Sequence, residues 1–123
     1  MKKFDLGQVV MTSGINNIIT NGGNFVDADK VFNLLECIDR HKTGDWGNLD
    51  EDDKLLNDSA VVDGGRILSA YEIGENKVKI WIITEADRSY TTILLPEEYW
   101  VFNKILKFFK RKCWLSLFFI VEL

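Results

Sequence analysis

Three features of the sequence predict an α+β fold, built as a small antiparallel sheet of three or four strands with one main helix packed on one face, plus a C-terminal amphipathic helix. Val31, Leu34, Leu35 and Ile38 stand at i, i+3, i+4 and i+7, the spacing of one apolar helix face. Residues 66–73 and 77–84 are strand-like runs separated by Gly74-Glu75-Asn76, a short Gly-containing turn that makes an antiparallel hairpin. A third run, Tyr90-Thr91-Thr92-Ile93-Leu94-Leu95, follows a polar connection and is stopped by Pro96, which completes a meander. Such a sheet needs a helix over its apolar face, and the 31–38 segment supplies one.

Taken in chain order, Gly7-Gln8-Val9-Val10-Met11-Thr12 is a short apolar run bounded by Gly7 and Ser13-Gly14, and it reads as a first, partly buried strand. Ile15, Ile18 and Ile19 then allow one or two helical turns before Asn21-Gly22-Gly23-Asn24 interrupts the chain. The main helix can be capped by Asp27 or Asp29. It ends with Arg40, His41 and Lys42, cations that suit the negative end of the helix dipole, and with Gly44 as the stop. Between Gly44 and Gly65 the chain turns acidic around Trp46. Leu49, Leu55, Leu56, Ala60 and Val61 there are spaced for one or two short helices, the first starting near Asp50. In the second hairpin strand Val78, Ile80 and Ile82 share one face, while Lys77, Lys79, Trp81 and Ile83 share the other.

Hydrophobic residues make up 46% and charged residues 28% of the 123, a balance that builds a core rather than a disordered chain. The net charge of −4 joins two unlike pieces. Residues 1–99, read as an acidic α+β domain, hold ten basic and eighteen acidic side chains, a net of −8. Residues 100–123, a cationic and hydrophobic C-terminal extension, hold five basic side chains and one acidic, a net of +4. A surplus of carboxylates repels nucleic acid and attracts basic protein, so a basic protein partner is expected and direct nucleic-acid binding is not. The chain reaches Asp5 and Gln8 before any apolar stretch of signal-peptide length, and Cys37 and Cys113 are too few for a disulfide framework. Both features point to a cytoplasmic protein with reduced thiols.

His41-Lys42-Thr43-Gly44-Asp45-Trp46-Gly47 is the most enzyme-like grouping, because a lone histidine with a nearby aspartate can serve as general base and orienter. No nucleophile stands beside it at an informative spacing, and a helix-terminal histidine before a Gly-rich turn is equally an ordinary structural feature. Glu85, Asp87, Arg88 and Ser89 form a second polar group, which a turn held by an Asp or Ser side chain and an Arg88–carboxylate pair explains as well. His41, Asp45, Glu85 and Asp87 are therefore the catalytic candidates. One histidine, two cysteines and no clustered ligand spacing give no metal site, and Asp50-Glu51-Asp52-Asp53 lacks the alternation and central glycine of a calcium loop. Nothing in the chain implies a cofactor.

Beyond Tyr99, Asn103, Lys104, Lys107, Lys110 and Arg111 gather within roughly a third of a helical wheel, and Val101, Phe102, Ile105, Phe108 and Phe109 fill the rest. The nine nearly uncharged residues from Cys113 to Val121 fall short of the ~20 that span a bilayer. Three roles fit this tail. It can close the domain's own core or a homodimer seam, dock on a partner, or lie on an anionic membrane surface through Trp100, Lys104, Lys107, Phe108, Lys110 and Arg111.

Four blocks carry a family likeness: Val9-Val10-Met11-Thr12-Ser13-Gly14-Ile15, residues 40–47 (Arg-His-Lys-Thr-Gly-Asp-Trp-Gly), residues 79–89 (Lys-Ile-Trp-Ile-Ile-Thr-Glu-Ala-Asp-Arg-Ser), and Thr91-Thr92-Ile93-Leu94-Leu95-Pro96-Glu97-Glu98-Tyr99. Over residues 1–99 the chain resembles a family of small uncharacterised plasmid-related proteins, cargo of mobile elements in Gram-positive bacteria. The resemblance implies that context and no catalytic residues, and residues 100–123 depart from its pattern. Charge and context together lead to a non-enzymatic interaction protein. Its acidic face, with Asp45, Trp46, Asp50, Glu51, Asp52 and Asp53, would engage a basic protein surface such as that of a host defence nuclease. A small enzyme built on His41 and Asp45 is the alternative.

Overall fold

A computed structural model describes residues 1–108, with side chains described through Lys104. The elements run β1 (Gln8–Met11), α1 (Ser13–Ile19), α2 (Ala28–Lys42), α3 (Glu51–Asp63), β2 (Ile67–Ile73), β3 (Val78–Thr84), β4 (Tyr90–Leu94), a 3₁₀ turn (Pro96–Glu98) and α4 (Tyr99–Phe108). The four strands form one sheet in the order β1-β4-β3-β2. This is the α+β arrangement that the sequence predicts, with one difference of detail. The sheet is mixed, because β1 lies parallel to β4, with Gln8 beside Tyr90 and Met11 beside Ile93. Three helices and a hairpin separate the two strands, so a crossover sets their relative direction where a tight turn sets that of the β2-β3-β4 meander.

Local chemistry explains the helices. Asp27 caps α2 by accepting from the backbone N–H of Lys30, and Asp50 caps α3 by accepting from that of Asp53 at 2.8 Å. The leucine-containing acidic stretch forms one helix, Glu51–Asp63, because Gly64, at φ 84°, ends it in the left-handed region only after 13 residues.

The sheet buries both faces unequally. On one face Met11, Tyr71, Ile80, Ile82 and Ile93 pack against Ile15 and Ile19 of α1 and Leu34, Cys37 and Ile38 of α2. Cys37 is a buried free thiol whose pKa burial pushes up to about 11, so it behaves as a small hydrophobe. On the other face Val10, Ile83, Tyr90 and Leu94 pack against Phe102 of α4. All five residues of β4 are buried, as suits a central strand covered on both sides.

The boundary drawn at residue 99 falls on the first residue of α4, and packing continues across it: Phe102 is fully buried. Of the residues assigned to a membrane contact, Lys110 and Arg111 lie outside the described residues, as do the side chains of Lys107 and Phe108. Among the described residues no helix is long and apolar enough to cross a membrane.

Phe102→Ala should cost ~3–5 kcal/mol through the cavity it leaves. Urea unfolding of the full chain measures this, and a loss under ~1 kcal/mol would mean that α4 does not close this face.

Candidate functional site

His41 closes the last turn of α2 and is completely buried. Its Nδ1 lies 2.6 Å from Ser69 Oγ on β2, and its Nε2 lies 2.8 Å from Thr84 Oγ1 at the end of β3. Proton positions follow from the far end of the chain of contacts. Thr91 Oγ1 is 2.7 Å from the carbonyl oxygen of Leu6, which can only accept, so Thr91 donates there. Thr91 must then accept from Thr84, 2.7 Å away, and Thr84 in turn accepts from His41 Nε2–H. Nδ1 is left as an acceptor for the Ser69 hydroxyl. The imidazole is thus a neutral Nε2–H tautomer, and burial, with the Arg88 charge as a lesser cause, holds its pKa down to about 3.

Such a histidine is a structural post and does not have the geometry of a general base. Asp45, its expected orienter, is instead exposed and forms a two-pronged ion pair with Arg40, Nε to Oδ2 at 2.8 Å and Nη2 to Oδ1 at 3.3 Å. The Arg40 hydrogen bond is the main reason that the Asp45 pKa lies below the usual carboxylate range. Tyr71 Oη donates to the Asp45 carbonyl at 2.6 Å, which fixes the turn from the other side.

The second polar group is likewise divided. Asp87 holds a turn by accepting from the N–H and Oγ of Ser89. Glu85 pairs with Arg66, Nε to Oε1 at 3.5 Å. The expected Arg88–carboxylate pair is replaced by carbonyls: the Arg88 guanidinium donates to Gly65 O (2.6 Å), Ala60 O (2.9 Å) and Glu85 O (3.1 Å). A cation at the C-terminal end of α3 suits the helix dipole, and it holds Arg88 in the left-handed region at φ 61°. The four catalytic candidates therefore do not form one cleft. Among the described residues, no three His, Cys, Asp or Glu side chains gather to hold a metal ion.

Trp46 also departs from the expectation that it meets a partner. It is buried with Phe4, Ala60 and Ile67, and its indole N–H donates to Asp58 on α3 at 2.9 Å. The loop around it seals the free edge of β2. Ala70 N–H donates to Trp46 O (3.3 Å) and Asn48 N–H donates to Ala70 O (2.7 Å). Next to Asp58 on α3, Asn57 does the same for Leu68 with both ends of its amide. Gly47, at φ 72°, must be glycine, because a Cβ would overlap the Ala70 carbonyl oxygen.

What remains on the surface is the outer side of α3. Asp45, Asp50, Glu51, Asp52, Asp53, Asp58 and Asp63 are all exposed, and Lys54 is the single cation of residues 45–63. Asp50 and Asp52 crowd Asp53, and the Asp50 charge is the first cause of its raised pKa. Beside this face, two adjoining cavities of about 380 and 300 Å³ share Trp81. The larger lies between Leu56 of α3 and Tyr99 of α4, over Leu68. The ring of Trp81 meets the edge of Tyr99 with centroids 5.2 Å apart. Sequence reasoning missed Ser69 and Thr84 as partners of His41, and Thr91 as the next link beyond Thr84. The available signal was a hydroxyl on a strand face otherwise filled by Ile67, Tyr71, Ile80 and Ile82.

No protein-family model, curated protein or solved structure matches the chain.

His41 is the one histidine of the chain, so its linkage can be isolated. The unfolded chain takes up a proton near pH 6.5 and the folded chain not until about pH 3, so stability is full above pH 6.5 and falls as pH drops below it. Between pH 6.5 and 5, where carboxylates hardly titrate, unfolding free energy should fall by about 2 kcal/mol. Urea titrations at half-unit pH steps measure this, and a His41 Cε1 proton resonance that titrates near pH 6.5 in the folded protein would contradict it.

Proposed function

We propose that this chain is a non-enzymatic interaction protein whose acidic face, residues 45–63, binds a basic protein surface. The observation that carries the reading is the arrangement of α3. Its inward line, Asn57 and Ala60, is committed to the sheet, while seven exposed carboxylates against one lysine face water over residues 45–63. Carboxylates on a fixed helix steer a cationic partner and make association fast and salt-sensitive. The likeness of residues 1–99 to mobile-element cargo makes a host defence nuclease, whose substrate groove is cationic, the favoured partner. Asp45 contributes through its exposed side in the ion pair with Arg40, and Trp46 contributes by anchoring α3 from beneath.

A second reading rests on α4. Trp100 and Val101 are exposed, and the Lys104 ammonium lies 4.0 Å from the Trp100 ring centroid, an aromatic-and-cation pair suited to an anionic membrane surface.

Asp50→Asn, Glu51→Gln, Asp52→Asn and Asp53→Asn combined should weaken binding to such a nuclease about ten- to a hundredfold and flatten its salt dependence. Asparagine at position 50 keeps the helix cap, so the fold should survive. Binding that is unchanged by the four substitutions would remove the acidic-face reading. For the membrane reading, Trp100→Ser with Lys104→Gln should reduce co-sedimentation of the full chain with anionic liposomes at least threefold. Equal pelleting of variant and parent would exclude attachment through these residues.

A further inference from the structure

The sheet face that carries Leu68, Ala70 and Trp81 is only partly covered, because Phe102 and Tyr99 of α4 close it from one side while α3 stands beside β2. These three residues are half-buried and form the floor of the trough over the two adjoining cavities. Leu56 forms a wall while 67% exposed, and Leu55 and Val62 are exposed along the same helix. Trp81 is half-buried in this floor, whereas Trp46 is buried and its indole N–H donates to Asp58.

The occupant's form follows from the β2 edge. The 46–48 loop and Asn57 already pair Leu68 and Ala70 on it, so a partner strand finds no free ladder over the residues that floor the trough. A segment lying on an apolar floor must then satisfy its own backbone, as a helix does. Its charge follows from the α3 wall. Asp53 lines the trough, with Asp50 and Asp52 crowded against it. Of the cations in the lining, Arg66 stands in the larger cavity with its charge paired to Glu85 (3.5 Å) and its Nη1 donating to Tyr99 and Asn103, and Lys79 lines the smaller.

We propose that this trough is the docking groove for a basic amphipathic helix of a partner protein, with its apolar stripe on Leu68 and Trp81 and its cations against the α3 carboxylates. The proposal rests on the acidic-face reading and names what that face accepts. Residues 1–99 of a second copy are less suited, since with a net charge of −8 they would bring further acidic helix faces against α3.

The test uses the full-length ¹⁵N-labelled chain and a synthetic peptide of leucines and lysines in helical i, i+3, i+4 spacing. One control has the same composition with the leucines scattered around the helix. Saturable shifts of the Trp81 indole N–H and of the Leu56, Leu68 and Ala70 amides are expected with the amphipathic peptide and not with the control. The exposed Leu56→Ser should weaken binding about tenfold while leaving the melting curve unchanged. The four-carboxylate variant should weaken it and flatten the salt dependence. If Leu56→Ser has no effect while the four-carboxylate variant loses binding, the groove proposal fails and the acidic-face reading stands. If Leu56→Ser weakens binding and the carboxylate variant does not, both fail. Contacts from Trp81 to residues 109–123 of the same chain, or concentration-dependent contacts to a second copy, seen before peptide is added, would overturn the groove proposal.

Discussion

A buried imidazole must have both nitrogens satisfied without a charge, and in this chain three hydroxyls and one carbonyl meet that demand in a fixed order. Ser69 donates to His41, His41 to Thr84, Thr84 to Thr91, and Thr91 to the carbonyl of Leu6. The run ties the end of α2 to β2, β3, β4 and the segment before β1. Each link is a neutral hydrogen bond of modest net worth, but removing one leaves the next group buried and unpaired, which costs more than the bond contributed. The same constraint accounts for the lack of a catalytic histidine here, since an imidazole committed on both sides has no nitrogen left for a substrate.

Once His41 sets where α2 ends, the loop that follows sets α3. Arg40 and Tyr71 hold Asp45, Trp46 turns inward to Asp58, and Gly47 passes close enough to Ala70 to pair with the β2 edge. Helix α3 is thereby attached through Asp58, Asn57 and Ala60 and through the Arg88 guanidinium at its C-terminal end. Leu55, Leu56 and its carboxylates are exposed among the described residues, with Leu56 and Asp53 lining the cavity that separates α3 from Tyr99 of α4. A helix held along one narrow line offers acidic and apolar groups together, the combination that a cationic amphipathic partner requires.

Much of the fold was legible in the residues. Leu34 and Ile38, with Val31 beside them, form the buried α2 face as their spacing predicts, as do the Asp27 cap and the two-sided pattern of β3, but Leu35 of the same expected face is exposed and Cys37 takes its place in the core. The candidate site was less legible. Asp50 through Asp53 are on the surface as expected, but Trp46 is inside, and Arg88, expected to pair with a carboxylate, donates to carbonyls instead.

The division has a physical cause. Caps, stops and alternating faces arise from contacts within about four residues along the chain, and the sequence by itself therefore determined the elements, their faces and the acid-rich character of residues 45–63. Contacts between distant residues depend on how the chain closes. His41 meets Ser69 28 residues on and Thr84 43 residues on, and Thr12 meets Glu98 across 86. Only the tertiary structure decided that β1 joins the sheet parallel to β4, that the histidine is sealed rather than available, and that Phe102 belongs to the same core. The acidic stretch visible in the sequence became an acidic surface only when the fold assigned its one tryptophan to the inside and its carboxylates to the water.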